Sequence, residues 1–248
     1  MTRRTLLALL GTAPLLRAEP WEKQPFPNWT ADVVHQLLTD SPWAHPVDVP
    51  FEFRPAPGGM LPSLSRSWQI GVPPSVPDWP GRRSPRTTKP GPTTPTGGGR
   101  RYPVRAEVYL TVRWSSALPI RQALALERWG RRGVDQPEAV AFLNEPPSDY
   151  VIEIFGMPAR LGAEGTKNLE RDLKKTARLL LKGRRPIEPL TVEVPEHGEH
   201  LSAELHFPRL EPVSADMGDL QFHAAAGGLE IESKFKLKAM VYDGRLEL

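Results

Sequence analysis

The chain contains no cysteine among its 248 residues. It therefore has no disulfide bond, no thiolate nucleophile, no sulfur ligand for a metal ion and no cysteine for lipid attachment. Long hydrophobic runs are missing too, because the longest largely apolar stretch covers residues 6–16, whereas a helix needs about 20 residues to span a bilayer. These absences exclude a disulfide-stabilised scaffold and a multi-span membrane protein.

Residues 1–18 have the order of a secretory signal peptide. Arg3 and Arg4 form a cationic start, a leucine-rich core follows, and Ala18 is a small residue before the polar Glu19. We expect cleavage after Ala18 and a mature protein that is periplasmic or secreted. The two arginines suit both the general secretory route and the twin-arginine route, so the sequence leaves the export route open.

The basic charge of the chain belongs mainly to this leader. Lysine and arginine total 32 and aspartate and glutamate total 29, which gives a formal charge of +3. Residues 1–18 hold three arginines and no acid, so the remaining chain has 29 basic and 29 acidic residues. Nucleic-acid binding requires a surplus of cations on the folded protein. We therefore predict no nucleic-acid partner.

Proline and glycine are concentrated in residues 73–103, which contain nine prolines and five glycines and show no hydrophobic period. This composition predicts a linker or a long exposed loop. Its six cations and single acid make it locally basic, and Trp79 lies close to Arg82 and Arg83. The predicted organisation is a signal peptide, an N-terminal helical and extended segment, a basic Pro/Gly-rich linker and an α+β domain, at residues 1–18, 19–72, 73–103 and 104–248.

A short helix is predicted directly after residue 30. Thr30 is a suitable N-cap, and the following apolar residues recur on one helical face as far as Leu38. Pro42 disfavours helical geometry at Ser41, so the helix is expected to end there.

The part of the chain after residue 103 shows strand and helix patterns in turn. Apolar and polar residues alternate in two segments, and helical patterns begin after Ser116 and at Thr166. Asp243-Gly244 predicts a tight turn. The predicted strands are 104–114, 150–155, 190–194, 201–207 and 229–242, and the predicted helices are 117–129, capped by Ser116, and 166–182. This order predicts an α+β fold with a mixed or antiparallel sheet and helices on one face.

Metal-binding patterns are weak. His197, Glu199 and His200 lie in a predicted turn with Glu196, but the spacing differs from the helical H-E-x-x-H motif of zinc proteases. His206 is six residues beyond His200 on a predicted strand, which is about 20 Å at 3.3 Å per residue, so the two cannot share one metal ion. A solvated turn explains the group, so we assign no metal ligand, and a zinc site assembled there stays an alternative.

No catalytic or cofactor motif is present. Ser115 and Ser116 lie between a strand and a helix, where a nucleophile elbow occurs, but the G-x-S-x-G sequence is absent. Residues 162–167 do not have P-loop spacing. We assign no catalytic residue and no cofactor.

Three segments resemble a family of exported bacterial proteins of unknown function. They are S-P-W-A at residues 41–44, V-R-W-S-S-A-L-P-I at 112–120 and the C-terminal G-R-L-E-L at 244–248. The resemblance implies export and the domain organisation above. The family has no assigned activity, so the resemblance supplies no site residue.

The leading hypothesis is an exported, non-catalytic binding or scaffolding module of the cell envelope. Its partner is not identified by the sequence, and an envelope polymer or protein fits. One alternative is an exported hydrolase with a metal or carboxylate site assembled from distant residues. A second alternative is attachment to an anionic surface through the basic linker.

Overall fold

The computed structural model describes residues 19–53, 104–158, 166–197 and 200–248, of which the side chains at 51–53, 104–106, 196–197 and 200 are excluded. The helices in these ranges are α1 (Ala31–Thr39), α2 (Leu118–Trp129), α3 (Pro137–Asn144) and α4 (Thr166–Thr176). The strands are β1 (Ala44–Phe53), β2 (Val104–Trp114), β3 (Tyr150–Pro158), β4 (Arg178–Leu181), β5 (Thr191–Glu193), β6 (Glu196–His197), β7 (His200–Phe207), β8 (Asp219–Ala226), β9 (Leu229–Lys236), β10 (Val241–Tyr242) and β11 (Arg245–Leu246).

The described strands form three sheets in which every paired ladder is antiparallel. The largest has the order β1-β2-β3-β7-β5, with β6 also paired to β7. A second sheet has the order β4-β8-β9, and β10 and β11 form a hairpin. The predicted α+β class is confirmed, and of the two predicted sheet types the antiparallel one is found.

The two larger sheets share one hydrophobic core. Trp114 of β2 meets Phe235 of β9 edge to face with the ring centroids 5.5 Å apart, and Phe207 of β7 meets Phe222 of β8 at 6.3 Å. The even residues of β2 from Val108 onward are buried, as the alternation predicts. The sequence did not indicate that the strands would divide into two facing layers.

Residues 19–50 contribute side chains to the same core, from Trp21 to Val49. Strand β1 pairs along its whole length with β2, and α1 packs against α2. Trp29 is 1% exposed, and its indole nitrogen donates to the main-chain oxygens of Trp21 and Gln24. The indole of Trp43 donates to the main-chain oxygen of Glu247 at 2.9 Å, which ties this segment to the C-terminal residues.

Helix α1 has the bounds and the cap that the sequence predicts. The hydroxyl of Thr30 accepts the N–H of Val33 at 3.4 Å, and Thr30 itself is extended. The helix ends at Thr39, and the hydroxyl of Ser41 donates back to the main-chain oxygen of Leu37 at 2.8 Å. This bond satisfies one of the free carbonyl groups at the helix end.

Three predicted element boundaries are wrong. Ser116 does not cap α2, because Ala117 occupies the N-cap position without a side-chain bond. Helix α4 ends at Thr176 and not at residue 182, since residues 178–181 pair with β8 as strand β4. The last long strand, predicted over 229–242, stops at residue 236, and a short 3₁₀ helix separates it from β10.

The tight turn at Asp243-Gly244 is confirmed. Both residues have positive φ, 48° and 75°, and the flanking residues Tyr242 and Arg245 are paired. Among the described residues, no helix is long and apolar enough to cross a bilayer. The predicted signal peptide and the predicted basic linker lie outside the described residues.

Candidate functional site

A row of charged side chains crosses the outer face of the large sheet, which is the face directed away from the second sheet. Arg113 of β2 lies opposite Glu153 of β3, Glu153 lies opposite Glu204 of β7, and Glu204 lies opposite Glu193 of β5. Residues directly opposite one another in antiparallel strands have Cβ atoms about 4.5–5.5 Å apart. The strand register therefore brings one arginine and three glutamates into a single line.

The first two members of this row form a buried ion pair. The Nε atom of Arg113 lies 2.7 Å from the Oε2 atom of Glu153, and the two side chains are 11% and 8% exposed. The hydroxyl of Ser115 donates to the same carboxylate oxygen at 3.1 Å. Glu153 therefore accepts hydrogen bonds from two side chains, one at the end of β2 and one directly after it.

Glu204 has a different environment. Burial raises its pKa above the ordinary value, and the charge of the neighbouring Glu153 raises it further. His206 and Arg113 act in the opposite direction, and Glu193 acts with Glu153. The row thus holds Glu153, which is bound by an arginine, beside Glu204, which retains its proton to a higher pH than an ordinary glutamate does.

Two exposed aromatic rings lie on the same face. Tyr109 of β2 is 45% exposed and Phe155 of β3 is 38% exposed. The guanidinium of Arg113 lies 5.3 Å from the ring centroid of Phe155. We call Tyr109, Phe155 and Arg113 the aromatic strip.

A glycine next to the strip shapes this part of the sheet. The β3–β7 register shifts between residues 155 and 157, which makes Gly156 a β-bulge. Its φ is 91°, and a Cβ atom added there would lie 3.1 Å from the main-chain oxygen of Tyr109. The bulge therefore requires glycine and brings β3 close to β2.

A cleft lies where α2, the start of β3 and the C-terminal residues meet. Its volume is about 490 Å³, and we call it the arginine cleft. Its lining includes the polar residues Ser116, Arg121, Tyr150, Arg209 and Glu247. These residues are distant from one another in sequence, and the fold brings them together around one opening.

The two serines considered as nucleophiles have other partners. Ser115 donates to Glu153, and Ser116 accepts the N–H of Val151 at 3.0 Å. Ser116 also lines the arginine cleft. Neither serine forms a bond with a histidine among the described contacts, so the geometry does not support a nucleophile activated by a base.

The predicted metal-binding turn is only partly described. The backbones of His197 and His200 are paired across β6 and β7, while residues 198–199 lie outside the described ranges, as do the side chains of residues 196–197 and 200. His206 is at the opposite end of β7, where its Nδ1 atom lies 4.0 Å from Asp149. Within the described side chains, no group of three histidine, aspartate or glutamate residues has the geometry to hold a metal ion.

His45 illustrates a histidine used in packing. Its ring stacks on Phe235 at 4.6 Å between centroids, and its Nδ1 atom lies 3.1 Å from the hydroxyl of Ser233. Burial lowers its pKa, which favours the neutral ring. Trp79, Arg82 and the rest of the basic linker lie outside the described residues.

Sequence reasoning did not identify Glu153, Glu204 or Arg121 as candidate site residues. The alternation over residues 104–114 predicts Arg113 on the solvated face, and this is wrong because Arg113 is buried in its ion pair with Glu153, 40 residues away. Cross-strand neighbours depend on register, which is set by pairing and not by local spacing.

Comparison with known proteins gives no match for this chain: no family model, no curated protein and no solved structure is similar to it. The resemblance to exported bacterial proteins therefore stays a prediction. Functional interpretation depends on the charged row, the aromatic strip and the arginine cleft.

Proposed function

We propose that this protein is an exported, non-catalytic binding module that recognises a saccharide-containing polymer of the cell envelope through the aromatic strip. The observation that carries the proposal is the pair of exposed rings, Tyr109 and Phe155, on the outer face of a packed sheet. Large aromatic side chains exposed on a rigid surface are typical of contact sites.

The chemistry around the rings suits a sugar polymer. A pyranose ring has an apolar face that stacks on an aromatic ring and hydroxyl groups that need donors and acceptors at its edge. Asp48 lies opposite Tyr109 on β1, and Thr111 lies opposite Phe155 on β2. The strip therefore combines stacking surfaces with charged and hydroxyl groups at its border.

The strip is held by the sheet beneath it. Arg113 contacts the ring of Phe155 on one side and is bound to Glu153 on the other. The bulge at Gly156 sets the position of Phe155 relative to β2. A surface that is already ordered loses less conformational entropy when a ligand binds.

Export to the envelope is the other part of the proposal. It is supported by the signal-like order of residues 1–18 and by the balanced charge of the remaining chain. A neutral body with one aromatic surface suits an uncharged or mixed-charge polymer better than it suits a polyanion.

The test is co-sedimentation of residues 19–248 with purified insoluble peptidoglycan. The double variant Tyr109→Ala/Phe155→Ala is expected to lower the association constant about 10-fold or more, because truncating a central aromatic contact costs about 2 kcal/mol. Val140→Ala is the matched control. Val140 is 40% exposed on α3, so this substitution removes exposed apolar surface away from the aromatic strip. Equal binding by the double variant and the wild type would refute this surface as the contact site.

A second candidate function is hydrolysis by the carboxyl pair Glu153 and Glu204. The observation that favours it is a carboxyl group with a raised pKa, Glu204, directly opposite a second carboxyl group, Glu153, because glycosidases use two neighbouring carboxyl groups. The same polymer serves as the test substrate. Release of reducing ends by the wild type that is lost in Glu204→Gln, a variant expected to keep its fold, would establish hydrolysis and replace the non-catalytic proposal.

A further inference from the structure

Arg121 is a buried, charged side chain that forms no ion pair with an acidic residue in the part of the chain that the structure describes. It is 3% exposed, and in the described ranges its guanidinium forms one hydrogen bond, from Nη2 to the main-chain oxygen of Phe142. Arg113, which is also buried, differs from Arg121 because its Nε atom lies 2.7 Å from a carboxylate oxygen of Glu153. Buried charges are costly unless they are paired, so Arg121 is suited to an anion supplied from outside.

Other donors converge on the same cleft. Arg209 lies across the arginine cleft, 4.6 Å from the ring centroid of Tyr150, and its Nη2 atom donates to a main-chain oxygen of Leu248 at 2.8 Å. Tyr150 is 5% exposed, and burial raises the pKa of its phenol, which keeps the proton available for donation. Ser116 accepts a main-chain N–H, and no acceptor for its own hydroxyl proton is found among the described contacts.

The two acidic side chains that line the cleft have partners of their own. Glu211 forms an ion pair with Arg184 at 3.3 Å. Glu247 accepts the N–H of Leu118 at 3.3 Å, at the start of α2. Glu247 influences Arg121 through its charge but forms no ion pair with it in the described contacts. Within the described contacts, neither of these carboxylates forms an ion pair with Arg121 or Arg209.

The size and the remaining lining define the ligand class. A volume of about 490 Å³ falls within the roughly 300–1,000 Å³ typical of small-molecule sites. The apolar lining consists of Pro146, Pro212, Val213, Leu246 and Leu248. We propose that the arginine cleft binds a small organic carboxylate with a short apolar tail, the carboxylate on Arg121 and Arg209 and the tail against the apolar wall.

The test uses three probes on residues 19–248 by titration calorimetry: hexanoate, inorganic phosphate and hexylamine. Hexanoate is expected to bind saturably, and hexylamine, which has the same tail and the opposite charge, is expected not to bind. Arg121→Met keeps the apolar stem and removes the charge, and it is expected to weaken hexanoate binding at least 10-fold. Arg209→Gln is expected to weaken hexanoate binding several-fold. Because Arg209 is exposed, this variant tests the site even if Arg121→Met fails to fold.

Arg128→Gln is the matched control, because Arg128 is an exposed arginine on the same helix that stacks on Trp129 outside the cleft. Its affinity for hexanoate is expected to equal that of the wild type. Absence of hexanoate binding, or equal binding by the wild type and Arg209→Gln, would overturn the site. Phosphate binding as tight as hexanoate binding would overturn the assignment of a carboxylate with an apolar tail. None of these outcomes depends on the aromatic strip, so the two proposals fail separately.

Discussion

Replacing Glu204 by glutamine is expected to stabilise the protein near neutral pH. Glu204 lies directly between Glu153 and Glu193 in the strand register, and its environment raises its pKa above the ordinary value of 4.5. Like charges placed opposite one another on neighbouring strands cost about 0.2–1 kcal/mol per pair. Arg113 offsets part of the repulsion from Glu153. The expected gain for Glu204→Gln at pH 7.5 is therefore about 0.5–1 kcal/mol.

The gain should depend on pH in a defined direction. The folded protein holds the proton of Glu204 more tightly than the unfolded chain does, so this group's contribution to stability is complete below its unfolded pKa. That contribution is lost as the pH rises through the raised folded pKa. The advantage of Glu204→Gln should therefore be small at pH 4.5 and reach its full value at pH 7.5.

Urea unfolding followed by circular dichroism at both pH values measures this difference. A gain of this size corresponds to a rise in melting temperature of roughly 1–4 °C for a chain of this length. Glu230→Gln is the matched control, since Glu230 is exposed on β9 opposite Ala225, and it should change stability by less than about 0.5 kcal/mol. A Glu204→Gln variant that is less stable at pH 7.5, or a gain that is the same at both pH values, would refute the reasoning.

Three further substitutions test the packing around the site by urea unfolding. Glu153→Gln should destabilise by about 3–5 kcal/mol, because it leaves Arg113 buried without a counter-charge; a loss below 1 kcal/mol would show that the pair is solvated. Gly156→Ala should cost about 1–3 kcal/mol because of the positive φ and the close main-chain oxygen of Tyr109; an unchanged midpoint would contradict the bulge geometry. Thr30→Ala should cost about 0.5–2 kcal/mol through loss of the cap on α1, and Thr30→Ser should restore most of it.

The alternating segments were the most predictable part of the fold. In β9 buried and exposed side chains alternate along the whole strand, and in β2 they alternate from residue 107 to residue 110, so the two-residue period appears directly in the sequence. Strand β1 was not predicted, because Pro46 and Pro50 interrupt the pattern. Both prolines are tolerated because β1 is at the edge of its sheet.

Tertiary contacts explain the largest error in helix length. Residues 177–182 are strong helix formers and continue the pattern of α4. The structure instead pairs residues 178–181 with β8, which buries Leu179 and Leu181 in the core shared by the two sheets. Pairing with a partner strand outweighs local propensity, and that partner lies about 40 residues further along the chain.

The candidate sites were less predictable than the fold. Arg121 lies within a correctly predicted helix, but its burial depends on Phe142 and on the C-terminal residues that close the arginine cleft. Ser116 was interpreted as a helix cap, and its hydroxyl instead binds the main chain of β3. The burial of Arg121 and the partner of Ser116 escape prediction for the same reason, because local spacing does not encode side-chain partners that are distant in sequence.

The most direct test of the account is to determine the N-terminus and location of the native protein by cell fractionation and mass spectrometry. We expect a chain that begins at Glu19 and is recovered from the periplasm or the medium. A cytoplasmic protein that retains the segment from Met1 to Ala18 would contradict the proposal of an exported envelope-binding module.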